Sequence, residues 1–463
     1  MSNVTLVQGS VYYPDVEKAP PLGVMYLASY LRTQGFAPQV IDMKGHNMTT
    51  RNFVDAYRET MNPYIGIGTI TYDSRALHDC AAGIKEVNPS AFVIAGGPHA
   101  TAYAEDILKQ DRNIDAVVLN EGEAAFADLV RTHESGGDLS AVSGLVVRLD
   151  DEVIRTAPRP LIQELDELPF PAWDTIPLKE YWDLPRIAWV YKNREYATIT
   201  TSRGCPYRCA YCHRTLGKTW RTRSIDSVID EMWRLKREYG VKEIVPVDDM
   251  FNLSVKRTNE FARRVIDEKL DMSFHFPVGF RCDILDEESV ELLKAAGMYR
   301  CMVAIETGSP RVQKVIDRNL NLKKTKEMIG KIADKDVLVH GVFILGLPTE
   351  TKEDMEETMR FALESKLHSM AISIAIPFKD CGLTDLAKKD GIAFEDSFDS
   401  YNYTQSTTNL THVPTDWVLK HRRTMYRRFF SPRRVYRFLR LLPNRWTHSR
   451  RLIKVFVRKA FMW

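Results

Sequence analysis

The sequence predicts an α/β protein: a doubly wound parallel sheet, then a partial (β/α)6 barrel, then a basic, mainly helical C-terminal region. Apolar runs alternate with helical patterns from residue 4 to about 130, and the alternation resumes near residue 196. The last 44 residues carry fifteen Lys or Arg and no Asp or Glu. Because 463 residues exceed the length of one ordinary domain, we expect more than one. The predicted segments are an N-terminal domain at 1–140, a linker at 141–195, a barrel at 196–395 and a C-terminal region at 396–463.

The N-terminal sheet is predicted over residues 1–140. Its strands are the runs VTLVQG, QVIDM, YIGIGTIT, AFVIAGG and DAVVLN, and its first helix is PPLGVMYLASYLRTQG, with Gly35 just after its end. Near-continuous apolar strands separated by helices indicate a parallel sheet, whose ligands bind beyond the carboxyl ends of the strands. The loops there contain glycine and polar residues, but no GxGxxG, which disfavours a nicotinamide site.

Residues 141–195 interrupt the alternation, and residues 196–395 resume it. The stretch LIQELDELPFPAWDTIPLKEYWDLP is rich in Pro, Trp and acidic residues and predicts a linker. Six apolar runs then alternate with amphipathic helices: ATITTS, VKEIVPV, FHFPVGF, CMVAIET, VLVHGVFIL and SMAISIAI. This pattern predicts a partial TIM barrel, with its chemistry at the C-terminal ends of the strands.

Residues 396–463 are predicted to hold a lid and a basic helical region. The polar and aromatic stretch SFDSYNYTQSTTNLTHVPTDW predicts a loop that closes over the barrel mouth. The tail that follows interleaves Arg with Phe, Tyr, Leu and Trp. Two interpretations stay open for it: a helix pair packed on the barrel, or an interfacial segment drawn to anionic lipid at the inner membrane surface. Nucleic acid is a disfavoured partner, because no RNA-binding module accompanies the tail.

The stretch GCPYRCAYCHR, residues 204–214, carries Cys205, Cys209 and Cys212 in the loop after the first barrel strand. The sequence shows no signal-peptide pattern and no apolar run of bilayer length, so we expect a cytoplasmic protein with reduced thiols. A close cysteine cluster then indicates metal binding and not a disulfide framework. Spaced CxxxCxxC, three thiolates can hold three corners of a cubane iron–sulfur cluster and leave the fourth iron open. A zinc site completed by His213 and a group of buried free cysteines are the alternatives.

The run CPYRCAYC resembles the CxxxCxΦC signature of the radical S-adenosylmethionine (SAM) enzymes, with Tyr211 as the aromatic Φ. The resemblance implies a [4Fe–4S] cluster on the three cysteines, whose open iron binds SAM. Reduction of SAM would release a 5′-deoxyadenosyl radical that abstracts hydrogen from a substrate. Later stretches, VDDMF, GFRCD, IETGSP and GVFILGLPTET, resemble the family's other strand ends. They imply SAM contacts at Tyr211, Asp248, Asp249, Arg281, Glu306, Gly308 and Gly346.

The resemblance extends to the N-terminal segment and covers about residues 1–395. PPLGVMYLASYLR, IAGGPHAT and NEGE resemble the Rossmann-like cobalamin-binding domain of one branch of the family, and LDELPFPAWD resembles that branch's linker. The branch contains cobalamin-dependent radical SAM methyltransferases and the anaerobic magnesium-protoporphyrin monomethyl ester cyclase. The resemblance implies cobalamin contacts at Leu22, Gly23, Thr69, Thr71, Tyr72, Gly96, Gly97, Pro98, His99, Thr101, Glu121, Gly122 and Glu123.

Simpler interpretations of several of these residues stay open. Tyr72 could be a core aromatic residue, and His99 could cap the helix that follows it. Glu121 and Glu123 could stand in a first helical turn only because the helix dipole favours carboxylates there. Gly96 and Gly97 permit close approach of the backbone, for which we favour a ligand contact over a plain turn.

One stretch departs from the pattern of many cobalamin domains, which carry Asp-x-His-x-x-Gly with a His that ligates cobalt. The matching stretch here is DMKGHN. Asp42 is present, Lys44 replaces the His, and His46 comes two residues late. We therefore expect His46 to be a surface residue and cobalt to lack a protein His.

The resemblance implies a cobalamin-dependent radical SAM methyltransferase. It would transfer a methyl group, by way of methylcobalamin, to an unactivated carbon of a hydrophobic or natural-product substrate. The alternatives are cyclisation, oxidation or rearrangement without methyl transfer, and a non-catalytic cobalamin or iron–sulfur sensor. The implied partners are a small-molecule substrate and an electron donor such as flavodoxin or ferredoxin.

Overall fold

A computed structural model describes residues 3–11, 17–186, 190–213, 215–379, 381–394, 408–445 and 447–448. The chain divides into two compact units, Met1–Ile187 with Thr215–Gly217, and Ala188–Arg214 with Lys218–Trp463. Each unit holds its own parallel sheet, as the two series of apolar runs predict. Among the described residues, none of the helices combines the length and the apolar character that crossing a bilayer requires.

The first unit is built on a seven-stranded sheet. In chain order its strands are β1 (Asn3–Gln8), β2 (Ala37–Asp42), β3 (Tyr64–Gly68), β4 (Phe92–Gly96), β5 (Ala116–Val118), β6 (Leu145–Leu149) and β7 (Glu152–Arg155). The spatial order is β2-β1-β3-β4-β5-β6-β7, and the first five strands run parallel. The order reverses between β1 and β3, and ligands of open α/β sheets bind at such a point.

Amphipathic helices connect the parallel strands and pack on the sheet. They are α1 (Leu22–Thr33), α2 (Thr50–Arg58), α3 (Ser74–Val87), α4 (Gly97–Gln110) and α5 (Gly122–Glu134), with a short α6 (Leu178–Tyr181) further along. Leu6 and Ile94 of the sheet form one apolar core with Ala28 of α1 and with Phe126 and Leu129 of α5. This packing leaves the loops at the strand ends as the place for a ligand.

The sheet extends further than the sequence predicts. Residues 141–195, predicted as a linker, contain the hairpin β6–β7, which pairs antiparallel with β5. Leu145 and Val147 are fully buried, so the hairpin belongs to the core of the first unit. Its turn residues Asp150 and Asp151 have φ angles of 46° and 68°, as a type I′ turn requires. An Asp-Asp turn lacks the glycine that usually marks this hairpin in a sequence, which is why the prediction misses it.

The second unit holds six parallel strands and a short antiparallel ribbon. The six are β8 (Tyr196–Ile199), β11 (Glu243–Pro246), β12 (Ser273–Phe276), β13 (Met298–Glu306), β14 (Leu338–Leu345) and β15 (Ser369–Ile374), and the ribbon is β9 (Ser202–Arg203) with β10 (Arg221–Thr222). The six strands neighbour one another in chain order, as a partial (β/α)6 barrel requires.

Helices follow the strands of the second unit. They are α7 (Ile225–Arg234), α8 (Val255–Asp267), α9 (Glu287–Ala295), α10 (Pro310–Val315), α11 (Leu322–Asp334), α12 (Lys352–Glu364), α13 (Gly382–Lys389), α14 (Thr415–Phe429) and α15 (Pro432–Leu441). Ser224 caps α7 by accepting a hydrogen bond from Ser227 N (3.1 Å). The Thr351 side chain caps α12 in the same way, as part of a capping box.

The described part of the basic tail packs on the second unit. The hydroxyl oxygen of Tyr426 on α14 accepts a hydrogen bond from Ile372 N in β15 (2.9 Å). Arg434 on α15 donates to the Leu363 carbonyl at the end of α12 (2.8 Å). These contacts support the interpretation of a helix pair packed on the barrel.

Three parts of the C-terminal region lie outside the described residues. They are 395–407, on which most of the predicted lid falls, and residues 446 and 449–463 of the basic tail. The described segment between the first of these and α14 lies near the end of β14, where the Thr411 hydroxyl donates to the Glu350 carbonyl.

Candidate active site

The cysteine loop begins just after β8 and is fixed at its root by Asp248, which follows β11. The Asp248 carboxylate accepts hydrogen bonds from Thr201 N (2.6 Å), Ser202 N (3.1 Å) and the Thr201 hydroxyl (2.5 Å). Asp248 is 1% exposed, and burial raises the pKa of its carboxyl despite these bonds. Both carboxylate oxygens are thus occupied by the root of the loop. These bonds show that Asp248 shapes the root of the loop, and the SAM contact that the resemblance implies for it stays a prediction.

Backbone hydrogen bonds clamp the middle of the cysteine loop to two neighbouring elements. Ala210 N donates to the Ile316 carbonyl at the end of α10 (2.8 Å), and the Ala210 carbonyl accepts from Leu383 N in α13 (2.9 Å). Cys212 N donates to the Cys209 carbonyl (3.2 Å), which closes a turn between these two cysteines. The path of the loop is therefore set by contacts within the second unit.

None of the three thiols of the loop is in a disulfide bond. Burial, followed by the charges of Cys209 and Asp249, raises the pKa of Cys212 to about 12. Burial also raises the pKa of Cys205. In the described part of the chain, no three His, Cys, Asp or Glu side chains are arranged to hold a single metal ion. The donor set nevertheless fits a [4Fe–4S] cluster, because a cubane takes each thiolate on a separate iron. His213 is exposed and gives no support to the zinc alternative.

Glu306 stands at the end of β13, at a bulge where the register with β14 shifts. Its φ of 68° lies in the left-handed region, a strained conformation for Glu that is concentrated at functional sites. The residue is 6% exposed, and its Oε2 atom has no hydrogen-bond partner among the described residues. Burial raises the pKa of its carboxyl to about 7, although the Arg318 charge and the Tyr211 hydroxyl act in the opposite direction.

Arg318 follows α10 and reaches the cysteine loop. Its Nη2 donates to the Ala304 carbonyl in β13 (2.7 Å), and its Nη1 donates to Cys209 Sγ (3.9 Å). The Nε atom has no partner in the part of the chain that the structure describes. Glu306 Oε2 and Arg318 Nε thus present an unsatisfied acceptor and an unsatisfied donor beside one loop. An ammonium group would satisfy the acceptor and a carboxylate would satisfy the donor, and the amino-acid part of SAM carries both groups.

Arg281, which follows β12, also lies against the cysteine loop. Its guanidinium stands over the Tyr207 ring, 4.1 Å from the centroid, and forms two hydrogen bonds to Asp283 (2.9 and 2.6 Å). The Asn252 side chain holds the Arg281 backbone through both its N–H (2.9 Å) and its carbonyl (2.7 Å). Arg281 Nη1 is buried and lacks a partner among the described residues, which leaves one donor for a ligand.

The two glycines with implied SAM contacts have different surroundings. Gly346 N and Leu347 N both donate to Glu350 Oε2 (2.7 and 3.1 Å), and a Cβ at Gly346 would meet nothing closer than 3.7 Å. Gly308 instead packs on α12, where a Cβ would lie 2.8 Å from Thr358 Cα. Close packing on α12 is a sufficient structural reason for a glycine at position 308, and the implied SAM contact stays a prediction.

Sequence reasoning missed three charged residues of this site: Arg318 and Glu350, which are buried, and Asp283, which is partly buried. Burial raises the pKa of Glu350 to about 8, and its Oε1 has no described partner. Asp283 and Glu350 lie inside the stretches GFRCD and GVFILGLPTET. Because these stretches already resemble family motifs, both carboxylates could have been predicted as site residues. Arg318 lies outside every motif named above. Its position beside the cysteine loop depends on the path of the chain after α10.

In the first unit, the implied cobalamin residues gather at the C-terminal ends of β3 and β4. Thr69 N donates to the Gly96 carbonyl (3.2 Å), and His99 N donates to the Thr69 carbonyl (3.3 Å). Gly97 has a φ of 87°, and a Cβ there would stand 2.9 Å from Thr69 O. Thr69 Oγ1 is buried with no partner in the described structure. These loops therefore pack tightly and still leave a hydroxyl for a ligand.

His99 is a buried residue in the first turn of α4. Burial, with a smaller effect from the His78 charge, lowers the pKa of its imidazole to about 4. Its ring centroid lies 4.8 Å from that of Tyr103. At pH 7 His99 is thus a neutral imidazole packed on an aromatic ring.

The other implied cobalamin residues occupy varied positions. Thr101 Oγ1 accepts from Asn120 N (3.0 Å), and the Glu121 carboxylate accepts from Ile162 N (2.8 Å). Glu123 is buried in the first turn of α5. The remaining ones are partly or fully exposed: Leu22, Gly23, Thr71, Tyr72, Gly96, Pro98 and Gly122.

An ion pair occupies the place where a cobalt-ligating His would be expected. Lys44 Nζ lies 3.7 Å from Asp73 Oδ2, and Asp73 Oδ1 accepts from the Ser10 hydroxyl (3.0 Å) and Val11 N (3.1 Å). His46 is exposed, with its Nδ1 3.7 Å from a Glu180 oxygen, as expected for a surface residue.

Family models match both parts of the chain. The radical SAM superfamily matches residues 199–362, and the B12 binding domain matches residues 16–130. An uncharacterized methyltransferase of Pyrococcus horikoshii is 30% identical over 413 residues, which cover 89% of this chain and 88% of that protein. An anaerobic magnesium-protoporphyrin IX monomethyl ester cyclase of Rubrivivax gelatinosus is 27% identical over 421 residues, covering 89% of this chain and 74% of that protein.

A solved structure shares the fold. The radical SAM methyltransferase TsrM from Kitasatospora setae, with tryptophan substrate and a SAM analogue bound, matches with a TM-score of 0.68 and 19% identity over 84% of this chain and 76% of that chain. At this identity the likeness establishes the fold alone, whereas the Pyrococcus relative and the two family models establish the family. This chain belongs to the radical SAM enzymes that carry a cobalamin-binding domain, and its cofactors are a [4Fe–4S] cluster, SAM and cobalamin.

Proposed function

We propose that this enzyme is a cobalamin-dependent methyltransferase that places a methyl group on an unactivated carbon of a small substrate. The observation that carries the proposal is the unsatisfied pair, Glu306 Oε2 and Arg318 Nε, beside the cysteine loop of a chain that also has a B12 binding domain. The 30% identical relative named as a methyltransferase supports this direction of chemistry. A hydrophobic or natural-product substrate agrees with the tryptophan bound by TsrM.

Each candidate residue of the second unit has a definite task in this proposal. Cys205, Cys209 and Cys212 would hold three irons of the cluster, which would supply the electron for reductive cleavage of SAM. Glu306 accepts a hydrogen bond from the SAM ammonium, and Arg318 donates one to its carboxylate. Tyr211, Asp249, Arg281 and Gly346 are proposed to line the same site, and Asp248 and Gly308 are proposed to shape it.

Residues of the first unit are proposed to hold cobalamin. Thr69 Oγ1 and the backbone at Gly96 and Gly97 offer polar groups at adjoining strand ends. Lys44 stands where the His of Asp-x-His-x-x-Gly would be and pairs with Asp73, so we propose that cobalt has no imidazole ligand from this position. A cobalt without that ligand suits a carrier that must accept and release a methyl group.

A labelling experiment tests the proposal. The full chain, loaded anaerobically with cluster and cobalamin, is incubated with [methyl-13C]SAM, a reductant and a small-molecule extract. We expect 5′-deoxyadenosine, label on the extracted corrinoid, and label in an organic product. Glu306→Gln should keep both cofactors and lower 5′-deoxyadenosine formation at subsaturating SAM.

The second candidate function is cyclisation, oxidation or rearrangement without methyl transfer, and the 27% identical cyclase favours it. It predicts 5′-deoxyadenosine with no label on the corrinoid or in any product. Formation of no 5′-deoxyadenosine at all would contradict both candidates.

Two partner proposals go beyond the fold. A small electron-transfer protein, such as flavodoxin or ferredoxin, is proposed to reduce the cluster. Contact with anionic membranes is proposed for α15, where Tyr436 and Leu439 are exposed beside Arg433. Co-sedimentation with anionic liposomes should fall in Arg433→Glu, and equal binding of the variant and the wild type would contradict a membrane role for this helix.

A further inference from the structure

We propose that Arg318 raises the reduction potential of the iron–sulfur cluster through its contact with Cys209, apart from any contact that it makes with SAM. This inference rests on the proposed function only in taking Cys209 as a cluster ligand. Arg318 Nη1 donates to Cys209 Sγ at an N···S distance of 3.9 Å. The donor therefore meets the sulfur atom that would carry charge from the cluster.

Arg318 is held in this position by its other contacts. Its side chain is anchored at Nη2 by the Ala304 carbonyl (2.7 Å), and the residue is only 6% exposed. The backbone of the loop beside Cys209 is fixed too, since Ala210 N donates to the Ile316 carbonyl (2.8 Å). Donor and sulfur thus sit on two segments that are tied together, so the contact is built into the fold.

A buried guanidinium at a cluster sulfur has a definite electrostatic effect. Hydrogen bonds to the sulfurs and nearby charge are among the factors that set the potential of an iron–sulfur cluster. Arg stays positively charged at all relevant pH values, and low local dielectric strengthens its attraction to added negative charge. Reduction adds one electron to the cluster, so Arg318 stabilises the reduced form more than the oxidised form.

The matched experiment uses Arg318→Gln and Arg311→Gln in the full chain, reconstituted with its cluster and kept free of SAM. Arg311 is in the same segment, but it pairs with Asp354 and its side chain is 48% exposed, so it serves as the control. The reduced cluster is measured by EPR in a mediated redox titration. At a fixed potential, we expect Arg318→Gln to lower the ratio of reduced to oxidised cluster at least tenfold, equivalent to about 59 mV for one electron.

Each outcome decides the proposal. Arg318→Lys keeps the positive charge but loses the planar guanidinium, so it should lower the ratio of reduced to oxidised cluster by a smaller factor. This variant replaces Arg318→Gln in the titration if the Gln variant binds less iron. A ratio equal to that of wild type in every variant that retains iron would overturn the proposal. Loss of the cluster from both Arg318→Gln and Arg318→Lys would also overturn it, because Arg318 would then be needed for folding of the loop. Because SAM is absent from the titration, loss of a SAM contact cannot mimic the effect. If the ratio is unchanged in a variant that still forms 5′-deoxyadenosine, the inference about the potential is overturned and the proposed function is not.

Discussion

Asp248→Ala is expected to destabilise the second unit and to prevent cluster assembly. The substitution removes the acceptor of three hydrogen bonds and leaves Thr201 N and Ser202 N buried without partners. Each buried unsatisfied group costs about 1–3 kcal/mol, so the loss for these two amides should be roughly 2–6 kcal/mol. Domains are typically stable by only about 5–15 kcal/mol. Calorimetry of the cofactor-free chain should show a markedly lower Tm for one transition, with little iron bound after reconstitution.

Asp248→Asn separates a structural role from a SAM contact. The Asn oxygen can still accept from both backbone amides, and its NH2 group can donate to the Thr201 hydroxyl, which can turn to accept. We expect a loss of about 1 kcal/mol, normal iron content and unchanged SAM affinity. An Asn variant with the wild-type Tm but at least tenfold weaker SAM binding, which is about 1.4 kcal/mol, would refute this reasoning and restore Asp248 as a ligand contact.

Three further substitutions test the roles of single residues. Gly308→Ala should lower the Tm of the second unit by several degrees with no change in SAM Kd, because its Cβ would stand 2.8 Å from Thr358 Cα; weaker SAM binding at an unchanged Tm would contradict this. Gly97→Ala should cost about 1–3 kcal/mol and lower the cobalamin bound per chain, because its φ is 87° and its Cβ would stand 2.9 Å from Thr69 O; full cobalamin content would argue against it. Burial raises the pKa of Glu350 from 4.5 to about 8, so the stability associated with its neutral form is lost as pH rises through that window. Between about pH 5 and pH 8, the Tm of Glu350→Gln should therefore fall by less than the Tm of the wild type. Equal decreases in Tm would show that Glu350 does not cause the pH dependence of stability.

The parallel strands could be predicted from the sequence because strands buried on both faces appear as continuous apolar runs. The hairpin β6–β7 could not, since its strands are short and its Asp150–Asp151 turn has no glycine. Its assignment depends on the free edge of β5, which only the assembled sheet reveals.

The same limit applies within the site. The spacing of the three cysteines was sufficient to predict a cluster loop, because the ligands are close in sequence. Adjacent carboxylates such as Asp248 and Asp249 look equivalent in a sequence, and only the fold shows that the first is occupied by Thr201 and Ser202. Arg318 reaches Cys209 across more than a hundred residues of chain, a contact that no local pattern encodes.

The most direct test of the account compares the wild type with Cys212→Ala. Both full-length proteins are reconstituted anaerobically, their bound cobalamin is measured by absorbance, and 5′-deoxyadenosine is quantified after addition of SAM and reductant. We expect Cys212→Ala to form no 5′-deoxyadenosine while it binds as much cobalamin as the wild type, because the cysteine loop and the B12 binding domain lie in different compact units. Wild-type levels of 5′-deoxyadenosine from the variant would contradict the assignment of the cysteine loop as the SAM-cleaving centre.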